Sequence, residues 1–173
     1  PVLEARIDAV RRSPYLGTLH GVALELLRRW GAAADFPPLE RVATEPEVAE
    51  RLRTSADQAI TALASRDADV LADAFTPTDW RSLTKLALDN RMALETLLVA
   101  TEDGESVRQS TARALREFFQ AWDRSLERSG VYAYGDLERL AVRLAESASP
   151  AGAGLRHQFR VALVDEFQDT NTA

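Results

Sequence analysis

The aliphatic run Val161-Ala162-Leu163-Val164, ending directly in Asp165-Glu166-Phe167-Gln168-Asp169-Thr170, constrains the fold more than any other stretch of this chain. Short β-branched and aliphatic runs of this kind read as buried strands. In open α/β sheets ligands bind outside the carboxyl ends of the strands, which is where this run delivers two adjacent carboxylates. An Asp so placed can hold the magnesium of a bound nucleotide, and a neighbouring Glu can orient or deprotonate an attacking water.

This is the Walker B half of a nucleotide triphosphatase, and the chain lacks the other half. A phosphate-binding loop needs a glycine-rich turn followed by Gly-Lys-Ser/Thr, so that backbone N–H groups and a lysine cradle the phosphates. The one lysine, Lys85, stands in the helix-like stretch Trp80-Arg81-Ser82-Leu83-Thr84-Lys85-Leu86 with no glycine nearby. The sequence opens at Pro1 without an initiator methionine or a signal-peptide pattern and stops three residues after Thr170. The expectation is an excerpt from a larger protein: one complete helical unit and one severed catalytic strand.

Composition narrows the alternatives. At 173 residues one domain with an appendage is expected, large enough to bury a real core. Cysteine is absent, which excludes disulfides and cysteine-ligated zinc and fits a cytoplasmic chain. No stretch approaches the length of a membrane-spanning helix, so no membrane partner is expected. The net charge of −6 argues against indiscriminate nucleic-acid binding, which demands clustered positive charge. The deficit is local: residues 32–80 hold ten acids and four arginines, whereas residues 1–31 hold five arginines and three acids. Nucleic-acid contact therefore falls to the basic ends. The plainer reading of these charges is solvated helix faces.

Most of the chain has helical period. Val22, Ala23, Leu26, Leu27 and Trp30 recur at three- and four-residue spacing, and Gly31 stands where a left-handed C-terminal cap belongs. Thr44-Glu45-Pro46-Glu47 reads as a capping box opening a helix that ends near Ser65. A short helix is expected around residues 70–75, and another from Thr76 or Thr78 running past Leu94 towards Val99. The longest helix is expected from Val107 to Ser129 with Gly130 as its stop, followed by one from Tyr134 to Ala145. Ser149-Pro150-Ala151-Gly152-Ala153-Gly154 is a loop by composition. Only Val161–Val164 and Tyr15–Thr18 look like strands. The fold class is mainly α, with strand remnants near both ends that would share a sheet of a parent α/β domain.

Two further segments give the acidic motif a family context. Gly17-Thr18-Leu19-His20-Gly21, opening the stretch Val22-Ala23-Leu24-Glu25-Leu26-Leu27-Arg28-Arg29, resembles the G-T-F-H-[GS] element of UvrD/Rep/RecB-type superfamily 1 DNA helicases, with Leu19 in place of the usual aromatic or isoleucine. Gly130-Val131-Tyr132-Ala133-Tyr134-Gly135-Asp136-Leu137 resembles that family's G-x-x-x-[FY]-x-D-L stretch, and Val164-Asp165-Glu166-Phe167-Gln168-Asp169-Thr170-Asn171 is similar to its motif II. Order and separation agree, because the family's first RecA-like motor domain carries an inserted helical subdomain. The resemblance implies residues 1–34 as part of the motor domain, 35–130 as the inserted subdomain, and 131–173 as the return to the motor domain.

The resemblance implies roles residue by residue. Asp165 would hold Mg2+, Glu166 would activate the attacking water, and Gln168 would sense the γ-phosphate of ATP or hydrogen-bond within the motif. Asp169 and Thr170 would brace the loop. Gly17, Thr18 and His20 would lie on the single-stranded DNA path, holding position without reading sequence; a histidine opening a helix also serves as a cap or core-edge residue. Trp30, Trp80 and Trp122 are in phase with aliphatic neighbours, which favours core packing over base stacking. Asp136 is expected to cap its helix and His157 to be structural.

The function implied is an ATP-dependent DNA helicase serving repair or recombination, or a helicase–nuclease subunit of the RecB or AddA (exonuclease V-like) kind with a partner subunit. The excerpt alone is expected to be monomeric, inactive and without bound ATP or Mg2+. The competing expectation is a self-standing helical protein-interaction module with a relic Walker B motif, its acidic stretch from Asp35 to Asp79 forming the binding face.

Overall fold

The computed structural model describes residues 13, 15–99 and 106–159. Among them are eight α-helices and two strands of two residues each, so the described chain is mainly α, as its periodicity predicts. The chain divides into two compact units. Among the described residues, one gathers those up to Val42 and those from Gly130 to Phe159; the other is the stretch Ala43–Ser129.

The first unit holds α1 (Leu19–Trp30), a 3-10 turn (Ala32–Ala34), β1 (Arg41–Val42), β2 (Val131–Tyr132), α7 (Tyr134–Glu146) and α8 (Pro150–Gln158). Helix α1 packs on α7, and α8 packs on α7. The core is built from Ala23 and Leu27 of α1, Leu137, Leu140 and Leu144 of α7, and Ala151 and Leu155 of α8, all buried. These positions follow the three- and four-residue spacing that gives an amphipathic helix one apolar stripe. The strands pair in parallel, Arg41 with Val131 and Val42 with Tyr132. Gly130 makes this approach possible. It has φ +62°, and a Cβ there would lie 2.7 Å from Cγ of Glu40 and 3.0 Å from the Pro38 carbonyl oxygen. The fully buried Tyr132 donates its hydroxyl to the Pro37 carbonyl at 2.9 Å, which ties β2 to the Pro37-Pro38 segment that leads into β1.

The second unit holds α2 (Glu45–Ala62), α3 (Ser65–Ala74), α4 (Pro77–Asp89), α5 (Arg91–Val99) and α6 (Val107–Ser129). Thr44 and Glu47 form the expected capping box of α2, and Thr76 and Asp79 form a second one at α4. Helices α2 and α6 pack on each other, α2 burying the small Ser55, Ala56 and Ala59 and α6 the large Phe118, Phe119 and Trp122. Trp80 and Trp122 are buried as expected, and Trp80 Nε1 donates to the Ala56 carbonyl at 3.0 Å. Three ionic groups are fastened within this unit. Arg91 pairs bidentately with Asp123 at 2.9 and 2.6 Å, reaches Glu95 at 2.6 Å and stacks over Phe119. Burial works against its charge, but the bonds to Asp123 and Glu95 prevail and raise its pKa. Arg51 lies over the Trp122 ring and donates to Ser129. Asp67 accepts from Ser110 and Arg113; chiefly the Ser110 bond holds its carboxyl below the ordinary value, against the opposing effect of burial.

Several sequence expectations are corrected. Tyr15–Thr18 is turn and bend, not strand, because Thr18 is used to cap α1 and pairs with no neighbouring strand among the described residues. The expected strand remnant near the start is therefore absent from that stretch, and the described sheet consists of β1 and β2 instead. The stretch 149–154 is no loop: Ser149 caps α8 by accepting from the Gly152 N–H at 3.1 Å, and Pro150 occupies its first turn. The glycines there serve packing. A Cβ at Gly152 would meet the Ser147 carbonyl at 2.5 Å, and one at Gly154 would meet the Trp30 ring at 2.9 Å. Trp30 is accordingly only half-buried, against that glycine. Gly31 has φ −60° and continues into the 3-10 turn; the left-handed residue is Asp35, at φ 58°. The helix expected from Thr76 to Val99 breaks at Asn90, whose side chain donates to the Leu86 carbonyl. Helix α2 ends at Ala62, and the short helix starts at Ser65, five residues earlier than expected. The expected strand at 161–164 lies outside the described residues.

Candidate nucleic-acid interface

The segment before α1 is held from three directions. The Tyr15 hydroxyl accepts from Arg29 Nη1 at 3.2 Å and from Gln158 Nε2 at 3.1 Å, and its ring stands edge-on to Phe159 with centroids 4.8 Å apart. Beyond it the chain turns at the exposed Gly17 and reaches Thr18, the N-cap of α1 with φ −67° and ψ 157°. Thr18 Oγ1 accepts from the Gly21 N–H at 3.2 Å, and the Thr18 carbonyl accepts the first helical bond from Val22. A capping hydroxyl that accepts from the backbone still has its own proton to donate outward. The first turn of α1 contains no acidic residue, so the positive end of the helix dipole is not neutralised from within the helix.

His20 follows in the first turn, its side chain 43% exposed. It is no free-standing cap. Nε2 lies 3.2 Å from Oε1 of Glu138, and its ring stands edge-on to Tyr134 with centroids 4.9 Å apart. Tyr134 and Glu138 are four residues apart on α7 and so share one face. Tyr134 is 58% exposed, although it opens a helix whose three leucines, Leu137, Leu140 and Leu144, are buried. Its position is fixed from below: Asp136, only 3% exposed, accepts from the Ala133 N–H at 3.0 Å, the expected cap, and lies 3.6 Å from the buried Arg139. Glycines at 17 and 135 keep the surroundings open, since a Cβ at either would have no atom within 4 Å.

Gly17, Thr18 and His20 are thus gathered at one helix start, and all three face solvent to some degree. Sequence reasoning missed Tyr134 and Glu138 as their neighbours. The available signal was that both lie in or just after the stretch Tyr134-Gly135-Asp136-Leu137, at helical spacing on one face. His157, expected to be structural, is exposed in the last turn of α8, where a basic side chain complements the helix C-terminus. Lys85 is exposed on α4. Asp165, Glu166, Gln168, Asp169 and Thr170 lie outside the described residues. Among the described residues no three carboxylate or imidazole groups converge on a point that would hold a metal ion. No described helix is long and apolar enough to cross a membrane.

The arrangement offers a hydroxyl, an imidazole and a phenol ring on an open surface at the start of two helices. A hydroxyl proton and an imidazole can each donate to a phosphate oxygen, and the phenol ring can stack against a planar ring. No curated protein and no solved structure shows detectable similarity to the chain. The family model described as UvrD/REP helicase N-terminal domain matches residues 3–173, nearly the whole sequence. The chain belongs to the UvrD/REP helicase N-terminal domain family.

Proposed function

We propose that this chain is part of the first, RecA-like motor domain of an ATP-dependent DNA helicase that moves along single-stranded DNA and separates duplex DNA ahead of it. Residues 1–34 and 131–173 belong to the motor domain, and 35–130 form an inserted helical subdomain. The observation that carries the reading is the open surface of His20 and Tyr134 beside the Gly17-Thr18 turn. An exposed aromatic ring with an imidazole set steeply against it and a free hydroxyl proton nearby suits a single strand, whose bases stack and whose phosphates accept hydrogen bonds. The continuity of Ala43–Ser129 as one compact unit, with the other unit drawn from both sides of it in sequence, supports the placement of the subdomain. Family membership along residues 3–173 weighs against a self-standing interaction module.

In this reading Thr18 and His20 position the strand and Tyr134 carries a base. When ATP and Mg2+ are bound in the parent protein they supply the phosphoryl transfer that drives movement. Asp165 would hold the ion, Glu166 would take the proton of the attacking water, and Gln168 would stand beside the γ-phosphate. The chain alone, without a phosphate-binding loop, does not hydrolyse ATP. The same reading covers a parent that is a helicase–nuclease subunit of the RecB or AddA kind, working with a partner subunit in repair or recombination. The test is Glu166→Gln in the full-length protein. DNA-stimulated ATP hydrolysis should fall about a hundredfold or more while nucleotide binding survives. Near-normal turnover would refute the assignment.

A further inference from the structure

We infer that Glu138 makes the His20–Tyr134 surface discriminate among bases, favouring those with an exocyclic amino group over thymine. The inference rests on the proposed single-strand path and adds a chemical preference to it. Glu138 stands one helical turn after Tyr134 on the same face of α7, its side chain 38% exposed. It pairs with His20 through Oε1. A carboxylate has acceptor capacity on both oxygens and no proton to give. With more than a third of the side chain in solvent, the carboxylate can accept from a further donor arriving on that side.

A base lying on the Tyr134 ring presents its edge within reach of a group one helical turn away. The amino groups of cytosine and adenine are donors and meet the carboxylate favourably, as acidic side chains do when they read cytosine N4. Thymine offers an imide N–H flanked by two carbonyl oxygens, which a carboxylate repels. The same charge repels phosphate, so the site directs a base and not the backbone towards α7. The open space at Gly17 and Gly135 leaves room for this approach. A motor that must pass every sequence tolerates a modest preference at one stacking position.

The experiment compares oligo-dC and oligo-dT of equal length binding to the full-length protein at neutral pH and one fixed salt concentration, which holds the phosphate contribution constant. Wild type should bind oligo-dC about fivefold more tightly, the size expected of one charged but half-exposed hydrogen bond. Glu138→Gln, whose amide can serve thymine as well as cytosine, should bring the ratio close to one without weakening oligo-dT. Equal binding by wild type, or a preference that survives Glu138→Gln, overturns the inference. Tyr134→Ala separates the two levels. If it weakens both oligonucleotides while the dC to dT ratio of wild type is one, only the preference fails. If it weakens neither, the strand does not pass this surface, and the proposed path fails with it.

Discussion

The two compact units place particular aromatic and charged side chains differently. In the unit of Ala43–Ser129 several are turned inward. Trp122 and Phe118 are fully buried, Arg91 is 6% exposed and held by two carboxylates, and Asp67 is fastened by Ser110 and Arg113. In the other unit an aromatic ring and an imidazole are turned outward at helix starts, Tyr134 58% and His20 43% exposed, while the buried Asp136 beneath them fixes the backbone. A side chain satisfied by its own fold has little left for a ligand. One held in place from below but left bare above is prepared for binding at small conformational cost. On this difference we propose that the first unit carries the binding surface and the second serves mainly to hold its own fold.

The largest effect should come from removing the centre of the inward-facing unit. Trp122→Ala deletes a fully buried indole that also carries the Arg51 guanidinium on its face. The expected loss is about 4 kcal/mol, from burial and from the cavity left behind. Urea unfolding followed by helical circular dichroism measures it. A loss below about 1 kcal/mol would mean that this core is not the source of the unit's stability. The next effect is Asp123→Ala, which leaves Arg91 with Glu95 alone. Breaking a fully buried pair costs about 3–5 kcal/mol. Asp123 is a third exposed and Glu95 remains, so about 2 kcal/mol is expected after allowing for solvent screening. Hydrogen exchange of the α5 and α6 amides should report it, and unchanged protection would show that the guanidinium is content without its carboxylate.

The comparison also explains what the sequence discloses. In the second unit the longest helix and the start of α2 were legible, because their signals are local and redundant, whereas the break at Asn90 and the start of α3 at Ser65 were not. The apolar period of α6 has the bounds Val107–Ser129 that its spacing predicts, and the Thr44–Glu47 capping box marks the start of α2. The first unit hid more, because its determinants are distant in sequence. Strands β1 and β2 are two residues long, too short for any period, their paired residues lie 90 apart in sequence, and their pairing depends on the left-handed Gly130. Helix α8 was hidden by its glycines, whose value lies in close contact with Ser147 and Trp30 and cannot be seen from composition. Thr18 and His20 were legible as a motif. That His20 meets Glu138 and Tyr134 was not, since more than a hundred residues separate them. The acidic residues from Asp165 onward were legible as chemistry and lie outside the described structure.

The smallest expected effect sharpens the contrast most. Tyr134→Ala removes an aromatic ring, as Trp122→Ala does, but a ring that is more than half in solvent and whose recorded ring contact is the edge of His20. Its backbone is kept in place by the Asp136 cap, which the substitution does not touch. The stability lost should therefore stay within about 0.5 kcal/mol, the range of ordinary surface changes. The same urea titration used for Trp122→Ala gives the comparison directly. A loss approaching that of Trp122→Ala would show that Tyr134 supports the fold, and its exposure would then no longer argue for a ligand. A negligible loss leaves stacking on a planar partner as the physical reason for an aromatic side chain to stand bare at that helix start.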